Sequence, residues 1–181
     1  IAYTGATPVF VDIDPISWCI NPESIKKAIT KRTKAIMPVW MYGNVPNMSQ
    51  IKKIAGDIPI IEDSCPAVGS YWQEQHAGTI GDVGCFSFQG AKILAIGEGG
   101  MLVTNDKKIY EKAKLLRSHG RVEHSQDYFS NIGNNDYIEP GYNFRMPTFS
   151  AALGLTQLKK ISKNINKRRK LAFLFTRELS K

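Results

Sequence analysis

The sequence lacks any apolar run close to the roughly 20 residues that a membrane-spanning helix needs. It also shows neither the basic segment nor the cleavage site of a secretory signal peptide. Its three cysteines, Cys19, Cys65 and Cys85, are widely spaced, and no pair has the spacing of a metal site. An odd number of such cysteines is typical of reduced thiols rather than a disulfide framework. These absences argue against a membrane protein and a secreted disulfide scaffold, and we expect a cytoplasmic protein.

The composition is that of one ordinary soluble domain. The chain has 181 residues, of which 43% are hydrophobic and 22% are charged, and this length is enough for a sizeable core. It opens with Ile1 in what looks like the middle of an element and stops at Lys181 within a strongly helical stretch. We therefore expect residues 1–181 to be the large part of one domain of a longer chain.

The formal net charge of +8 has two interpretations. A basic face gains affinity for nucleic acid by releasing counterions, whereas basic residues along a helix are also simply solvated. Much of the excess lies in KKISKNINKRRK, residues 159–170, where we predict a helix. This distribution favours the solvated helix and argues against nucleic-acid binding, and a positive field also suits a small anionic ligand.

Strand-like and helix-like segments alternate along the chain. β-Rich runs predict strands at residues 8–13, 35–40, 58–61, 84–88 and 101–104. Helical spacing and capping residues predict helices from Asn21 to near Thr30, over 48–55 and 107–117, and in a tail that starts at Pro147 and bends near 162–164. The strand at 58–61 is apolar at every position, which is typical of a parallel sheet covered on both faces. The pattern predicts an α/β domain with a largely parallel sheet and an irregular loop over residues 119–145.

Two acidic residues, Glu62 and Asp63, follow the strand predicted at 58–61. In such sheets ligands bind beyond the carboxyl ends of the strands. An acid at this place is also commonly an ordinary strand-end or capping residue, so both interpretations stay open for this pair taken alone.

One lysine, Lys92, lies in an unusual setting, the segment CFSFQGAKILAIGEGGM at residues 85–101. Burial among apolar neighbours lowers the pKa of a lysine and makes its neutral, nucleophilic form accessible, which a Schiff-base lysine needs. The glycines around it would let the backbone pass close to a planar ring, and the hydroxyl of Ser87 could bind a phosphate. With the Asp63 carboxylate for a protonated ring nitrogen, these groups match the binding pattern of pyridoxal phosphate.

The chain as a whole resembles the nucleotide-sugar aminotransferases of the DegT/StrS group, which have the pyridoxal phosphate-dependent fold type I. The resemblance rests on these segments in order: GATPVFVDID (5–14), TKAIMPVWMYGN (33–44), IEDSCPAVGS (61–70), GTIGDVGCFSF (78–88), AKILAIGEGGMLVTND (91–106), LLRSHGR (115–121) and GYNFRMPTFSAALGLTQL (141–158). It implies that residues 1–181 are the cofactor-binding large domain, a three-layer α/β fold with a mostly parallel central sheet. The domain would be incomplete at both ends, because the group's N-terminal segment and C-terminal small domain are absent.

The resemblance implies four site residues. Lys92 matches the lysine that forms the Schiff base, Asp63 the aspartate on the pyridine nitrogen, and Ser87 the phosphate-binding serine. Asn143 matches an asparagine that reaches the phosphate of the neighbouring subunit's cofactor. The resemblance therefore also implies a homodimer whose active sites are shared.

The activity that the resemblance implies is transamination of a keto-deoxysugar nucleotide to an amino sugar nucleotide, with glutamate as the expected amino donor. A relative that dehydrates a deoxysugar with the same cofactor carries histidine at the Lys92 position, so lysine favours transamination. The alternatives are such a dehydratase and a non-catalytic regulatory or nucleic-acid-binding relative of the same fold. Two positions depart from the group's pattern: Pro66 stands where Gln or Glu is usual, and Trp40 where His is usual.

Overall fold

The structure is a computed structural model that describes residues 1–122 and 136–181. The helices are α1 (Pro22–Ala28), α2 (Met48–Ala55), α3 (Lys107–Arg117), α4 (Thr148–Leu158) and α5 (Ile161–Leu179). The strands are β1 (Ile61–Asp63), β2 (Tyr71–Trp72), β3 (Gln75–His76), β4 (Val83–Ser87) and β5 (Gly100–Val103). None of the helices in these two ranges combines the length and apolarity needed to cross a bilayer. Much of the irregular loop predicted at 119–145 falls on residues 123–135, which lie outside the described residues.

The first three helices begin where the sequence supplies a cap. Asn21, Asn47 and Asp106 precede α1, α2 and α3, and their side chains accept hydrogen bonds of 2.6–3.2 Å from N–H groups of the first turn. These bonds satisfy donors that have no partner within the helix. The helices predicted at 48–55 and 107–117 are confirmed, and α1 ends close to the predicted position.

The helical tail divides earlier than predicted. α4 ends at Leu158 and α5 begins at Ile161, whereas the sequence analysis placed the bend at residues 162–164. The Asn164 N–H donates to the Lys160 carbonyl at 3.0 Å. An asparagine side chain can bend a helix by competing for such a backbone hydrogen bond. Here the backbone bond is intact, so Asn164 stays in regular helix.

The central sheet is mostly parallel, as predicted. β1 pairs with β4 in parallel, with Asp63 aligned to Cys85, and residues 36–39 run parallel to β1 on its other side through bridges at Ile36 and Val39. β5 pairs with β4 in the antiparallel direction. β2 and β3 form a separate antiparallel hairpin, which the sequence analysis did not predict.

The strand predicted at residues 8–13 is wrong. Residues 1–10 are exposed, and the segment makes an isolated bridge between Ile13 and Ile20. A β-rich run forms a strand through packing and pairing with a neighbouring strand, and the described residues give this run no such neighbour. The strand predicted at 58–61 lies a few residues later, because Pro59 has no N–H to donate to a ladder.

The core lies between the sheet and the helices α1 and α2. Its buried members are Ile25, Ile36, Trp40, Met48, Ile51, Ala55, Ile60, Ala67, Ala77 and Ile80. Burial of one such large side chain contributes about 1.5–3 kcal/mol. With seven and eight residues, α1 and α2 are too short to be stable in isolation, so this packing is what holds them.

One buried carboxylate ties β1 to a later turn. The Glu62 side chain is fully buried, and N–H donors take the place of its hydration. These donors are the Trp40 indole (3.0 Å) and the backbones of Gly78 (2.8 Å), Ile80 (2.7 Å) and Gly81 (2.5 Å). The turn packs so closely on the sheet that a Cβ added to Gly84, beside Glu62, would clash with the Gly78 carbonyl oxygen.

Replacement of Trp40 by phenylalanine tests this arrangement. Trp40→Phe keeps an aromatic ring but removes the indole N–H, so the Glu62 carboxylate stays buried with one donor fewer. We expect the free energy of unfolding of the complete protein to fall by about 1.5–3 kcal/mol, the range for hydrogen bonds to charged groups. Urea denaturation measures this loss.

The matched control is Trp72→Phe. The Trp72 indole donates to the Ser49 hydroxyl at 3.3 Å on the exposed side, so the same chemical change removes a weak, solvated bond. A loss as large for Trp72→Phe as for Trp40→Phe would contradict the importance given to the Glu62 contact.

Candidate active site

Asp63 and Ser87 lie on the same face of the sheet. Asp63 is aligned with Cys85 in the parallel pair of β1 and β4. Aligned residues of neighbouring strands point to the same side, and side chains alternate along a strand. Ser87, two residues after Cys85, therefore shares that side. Asp63 and Ser87 also end their strands, at the edge where α/β sheets bind ligands.

The same alternation of side chains distinguishes Glu62 from Asp63, whose roles the sequence did not separate. Glu62, one residue earlier, points to the opposite face and is fully buried among its N–H donors. Asp63 is only partly buried, and its Oδ1 atom accepts the Cys65 N–H at 3.1 Å. Glu62 is thus part of the scaffold, and Asp63 is the acid on the site face.

Lys92 follows β4 in a loop that returns to the sheet. Its N–H donates to the Gln89 carbonyl at 2.9 Å, and the Ile96 N–H closes the loop by donating to the Phe88 carbonyl at 2.9 Å. Leu94 and Ile96 are buried, whereas Lys92 is partly buried. The apolar residues after the lysine therefore attach the loop to the protein and leave Lys92 near its surface.

The pKa of the Cys65 thiol depends on both Lys92 and Asp63. Burial raises the pKa of Cys65 to about 12, with further contributions from a hydrogen bond with Asp63 and from the charge of that carboxylate. The positive charge of Lys92 acts on the same thiol in the opposite direction. Burial also raises the pKa of Cys85, and the Asp63 charge adds to this. Because such interactions weaken with distance, both charges lie within electrostatic range of the Cys65 thiol, and we refer to Asp63, Lys92, Cys65 and Cys85 as one cluster.

The Ser87 hydroxyl retains a proton to donate. Its Oγ atom accepts the Gln89 N–H in a long hydrogen bond of 3.4 Å. A serine hydroxyl has one donor besides its acceptor lone pairs. That donor suits an anionic oxygen such as a phosphate oxygen.

The backbone beside Lys92 is uncrowded at two exposed glycines. A Cβ placed on Gly97 would meet no described atom within 4 Å, and one on Gly90 would meet the Gly97 carbonyl oxygen at 3.9 Å. Pyridoxal phosphate requires an amine for its aldehyde carbon, an acid for its ring nitrogen and a donor for its phosphate. Lys92, Asp63 and Ser87 supply these three groups, so the residues present fit that cofactor.

Asn143 lies beyond the end of α3 rather than in this cluster. It forms an isolated bridge with Ser118, and its Oδ1 atom accepts a hydrogen bond of 3.3 Å from Arg145 Nε. The residue is exposed. None of these contacts links Asn143 to the cluster of its own chain, and its role in a neighbouring subunit's site stays a prediction.

The structure shows where Trp40 and Pro66 lie, the two residues that depart from the group's pattern. Trp40 donates to Glu62 and so belongs to the scaffold face of β1. Pro66 is in the turn after Asp63, which the Ala67 N–H closes by donating to the Ser64 carbonyl at 2.9 Å. Pro66 has neither an N–H nor a polar side chain to offer the site.

Sequence reasoning missed the part played by Cys65. It treated the residue as one of three reduced thiols, whereas the structure places it against Asp63. The available signal was its position two residues after the aspartate, within the turn that follows a strand end.

With this geometry in place, comparison with known proteins identifies the family. The model of the DegT/DnrJ/EryC1/StrS aminotransferase family matches residues 1–181. The chain belongs to this family. Its resemblance to that group, expected from the quoted segments, is confirmed over the whole sequence.

Individual members of the family are similar to this chain in sequence and in structure. The chain is 39% identical to the GDP-perosamine synthase of Escherichia coli O157:H7, across 99% of this chain and 48% of the relative. It superposes on Helicobacter pylori PseC, an aminotransferase of pseudoaminic acid biosynthesis, with a TM-score of 0.89 and 34% identity, covering 97% of this chain and 46% of PseC. The E. coli GDP-4-keto-6-deoxy-D-mannose-3-dehydratase with bound hydrated pyridoxal phosphate gives a TM-score of 0.83 and 36% identity, covering 94% and 47%.

The chain spans about half the length of the curated relatives it matches. The solved structures are likewise covered to slightly less than half. These neighbours have fold type I, so the expected fold class is confirmed for the part of the domain that the chain contains.

The titration of Cys65 gives a prediction for its reactivity. The thiolate is the form that reacts with alkylating reagents, and a pKa of about 12 keeps the thiol protonated at neutral pH. We expect iodoacetamide to label Cys65 about 10–100-fold more slowly in the folded than in the urea-unfolded protein at pH 8, since a more basic thiolate is also more nucleophilic. The rate should keep rising by about tenfold per pH unit up to pH 10. Peptide mass spectrometry measures it.

The urea-unfolded protein serves as the reference, because its thiol has the ordinary pKa. A labelling rate for folded Cys65 that levels off near pH 9 would show that the thiol is not held in the protonated form.

Proposed function

We propose that the protein is a pyridoxal phosphate-dependent aminotransferase that converts a keto-deoxysugar nucleotide to an amino sugar nucleotide. The observation that carries the proposal is the register that puts Asp63 and Ser87 on one face at the strand ends, and the charge effect of Lys92 on the Cys65 thiol beside Asp63 supports it. Membership in the aminotransferase family supports it. A relative named GDP-perosamine synthase supports the substrate class.

Each site residue has a distinct task. When bound, pyridoxal phosphate supplies an electron-withdrawing ring that stabilises negative charge on a neighbouring carbon. Lys92 would hold the aldehyde end of the cofactor through its Nζ atom. Asp63 would hold a proton at the ring nitrogen, and the Ser87 hydroxyl would donate to the phosphate.

Lys92 is also the group we assign to proton transfer. Once its Nζ atom is free, the amine can accept a proton at one carbon and return it at another, as a general base and then a general acid. Buried Leu94 and Ile96 anchor the loop that carries Lys92, which limits how far the amine can move from the strand ends. Histidine at this position in a dehydratase relative lacks a primary amine, so the lysine favours transamination.

The substrate class fits the charge of the chain. The net charge of +8 favours anionic ligands such as the diphosphate of a nucleotide sugar. We assign glutamate as the amino donor, because its carboxylates suit the same positive field. The three free cysteines suit a reducing compartment, and we therefore assign the protein to the cytoplasm.

We assign residues 1–181 to the cofactor-binding large domain of a longer protein that acts as a homodimer. Large apolar side chains are exposed near the N-terminus, such as Tyr3 and Phe10, and on α4 and α5, such as Phe149 and Phe173. Such apolar surface needs a cover, which the rest of the longer chain and a partner subunit would provide together. The exposed position of Asn143 supports its assignment to the partner's cofactor site.

A sugar dehydratase that uses the same cofactor is the second candidate. A solved dehydratase with bound pyridoxal phosphate resembles this chain closely in structure. The two activities differ in one measurable respect, because transamination consumes an amino donor and dehydration does not.

The decisive test measures the transfer of nitrogen from the amino donor to the sugar. The complete protein, with pyridoxal phosphate, ¹⁵N-glutamate and a panel of nucleotide-linked keto-deoxysugars, should yield one sugar that carries ¹⁵N, detected by mass spectrometry. Lys92→Ala should lower kcat by about 10²–10⁴-fold or more, since this range is the contribution of a positioned proton-transfer group. Lys52→Ala, which changes an exposed lysine of α2, should leave the rate unchanged.

Two results would contradict the proposal. Loss of water from the sugar without consumption of glutamate would establish the dehydratase instead. A complete protein that never takes up pyridoxal phosphate but binds DNA in a salt-dependent manner would establish a regulatory relative.

Mixing two impaired variants tests the shared site. If Asn143 acts in the partner's site, a mixed dimer of Lys92→Ala and Asn143→Ala subunits has one site with both changes and one site with neither. Equal mixing should therefore recover about a quarter of the wild-type rate, since half of the dimers are mixed and each has one intact site. The assay is the ¹⁵N transfer after dissociation and reassociation of the subunits.

Lys92→Ala mixed with Asp63→Asn is the control. These two residues belong to one site of one chain, so each site of the mixed dimer carries one change and no recovery is expected. Equal recovery in both mixtures, or in neither, would place Asn143 outside the partner's site.

A further inference from the structure

Cys65 contacts the Asp63 carboxylate from the turn that follows β1. Its backbone N–H donates to Asp63 Oδ1 at 3.1 Å, which closes a small ring around the side chain of the aspartate. Its Sγ atom lies 3.7 Å from the Cys85 carbonyl oxygen, on the strand that runs beside Asp63. The residue therefore contacts both the carboxylate and the neighbouring strand.

The turn that holds Cys65 is tethered on both sides. The Ser64 N–H donates to the same Cys85 carbonyl at 2.9 Å, and the Ala67 N–H donates back to the Ser64 carbonyl at 2.9 Å. Ser64 is fully buried. Cys65 consequently has little freedom to move relative to Asp63.

We propose that Cys65 is a positioning residue for Asp63: its N–H binds the carboxylate directly, and its thiol, bonded to the Cys85 carbonyl, holds the turn that presents this N–H. The acceptor of the thiol is the Cys85 carbonyl, at 3.7 Å. This inference rests on the proposed function, in which Asp63 is the acid that holds the ring-nitrogen proton.

The electrostatics agree with a donor role for the thiol. Burial first, and then Asp63 through a hydrogen bond and its charge, raises the pKa of Cys65 to about 12. The sulfur therefore keeps its proton at neutral pH and can donate it. A protonated thiol is also a poor nucleophile, so it does not compete with Lys92 for an aldehyde carbon.

Alkylation kinetics in cofactor-free complete protein test the contact directly. Coupling between two groups is reciprocal, so removal of the Asp63 charge must ease ionisation of the thiol. We expect Asp63→Asn to speed iodoacetamide labelling of Cys65 by about threefold at pH 8. A titration displaced by about one pH unit gives about ten times more thiolate, and that thiolate is itself about threefold less nucleophilic. Asp57→Asn, which changes an exposed aspartate, should leave the rate as in the wild type.

Cys19 is the internal control in the same samples. It is buried in another part of the chain, and the groups that act on its thiol are Met41, Ser17 and Asp14. An unchanged Cys65 rate in Asp63→Asn would overturn the proposal. Acceleration of Cys19 to the same extent would also overturn it, because the change would then be a general loosening of the fold.

Substitution of Cys65 itself gives a second test that does not depend on Asp63→Asn. In the loaded complete protein, Cys65→Ala should lower kcat by about tenfold with little change in KM, since the turn that presents the Cys65 N–H to the carboxylate loses its bond to the Cys85 carbonyl. Cys65→Ser should restore most of the rate, because a hydroxyl also donates, and Cys19→Ser should have no effect. Equal rates for Cys65→Ala and the wild type would contradict the inference.

The two kinds of failure are distinguishable. The alkylation experiment needs no cofactor, so it reports on the contact between Cys65 and Asp63 even if the protein takes up no pyridoxal phosphate. Absence of cofactor uptake refutes the proposed function, whereas normal uptake and turnover in Cys65→Ala refutes the positioning role alone.

Discussion

The buried carboxylate of Glu62 is the interaction on which the rest of the site depends. A charge without hydration is tolerated there because four N–H groups of the described residues, one indole and three backbone, point at it. Those donors come from the strand-like segment before α2 and from the turn before β4. This single side chain thus joins three stretches of the chain and helps to fix the register of β1 relative to β4. Loss of it would leave buried donors unpaired on both sides of the strand, which costs more than the bonds contribute.

That scaffold decides which side chains meet on the other face. Because neighbours along a strand point in opposite directions, the anchoring of Glu62 in the interior turns Asp63 towards the open side. The parallel register then brings Cys85 beside Asp63, and Ser87 follows at the strand end. A fold that placed β1 one residue out of register would exchange the two acids and bury the wrong one.

The cluster around Asp63 combines groups of different chemistry in a small space. A carboxylate, an amine and two thiols lie close enough to influence one another, and burial together with the carboxylate keeps both thiols protonated. The amine belongs to a loop that is anchored by the buried side chains of Leu94 and Ile96.

The sequence by itself determined the helices and the identity of the chemical groups. Asn21, Asn47 and Asp106 cap their helices through contacts two or three residues away, and the glycines and apolar residues around Lys92 marked its loop. These are local effects, so they can be seen in the order of residues alone. The resemblance of quoted segments to the DegT/StrS group added the fold and the pairing of Lys92 with Asp63.

Only the tertiary structure decided what depends on partners distant in sequence. The run at 8–13 has strand character but no neighbour among the described residues, whereas the hairpin of β2 and β3 forms from two segments of two residues each, which are too short to show a pattern. The distinction between Glu62 and Asp63 required the indole of Trp40 and the turn at 78–81, and the part played by Cys65 required the carbonyl of Cys85, 20 residues away. Register, burial and long-range hydrogen bonds arise from packing between segments, and a residue pattern cannot contain them because each residue's neighbours in space are set only when the chain has folded.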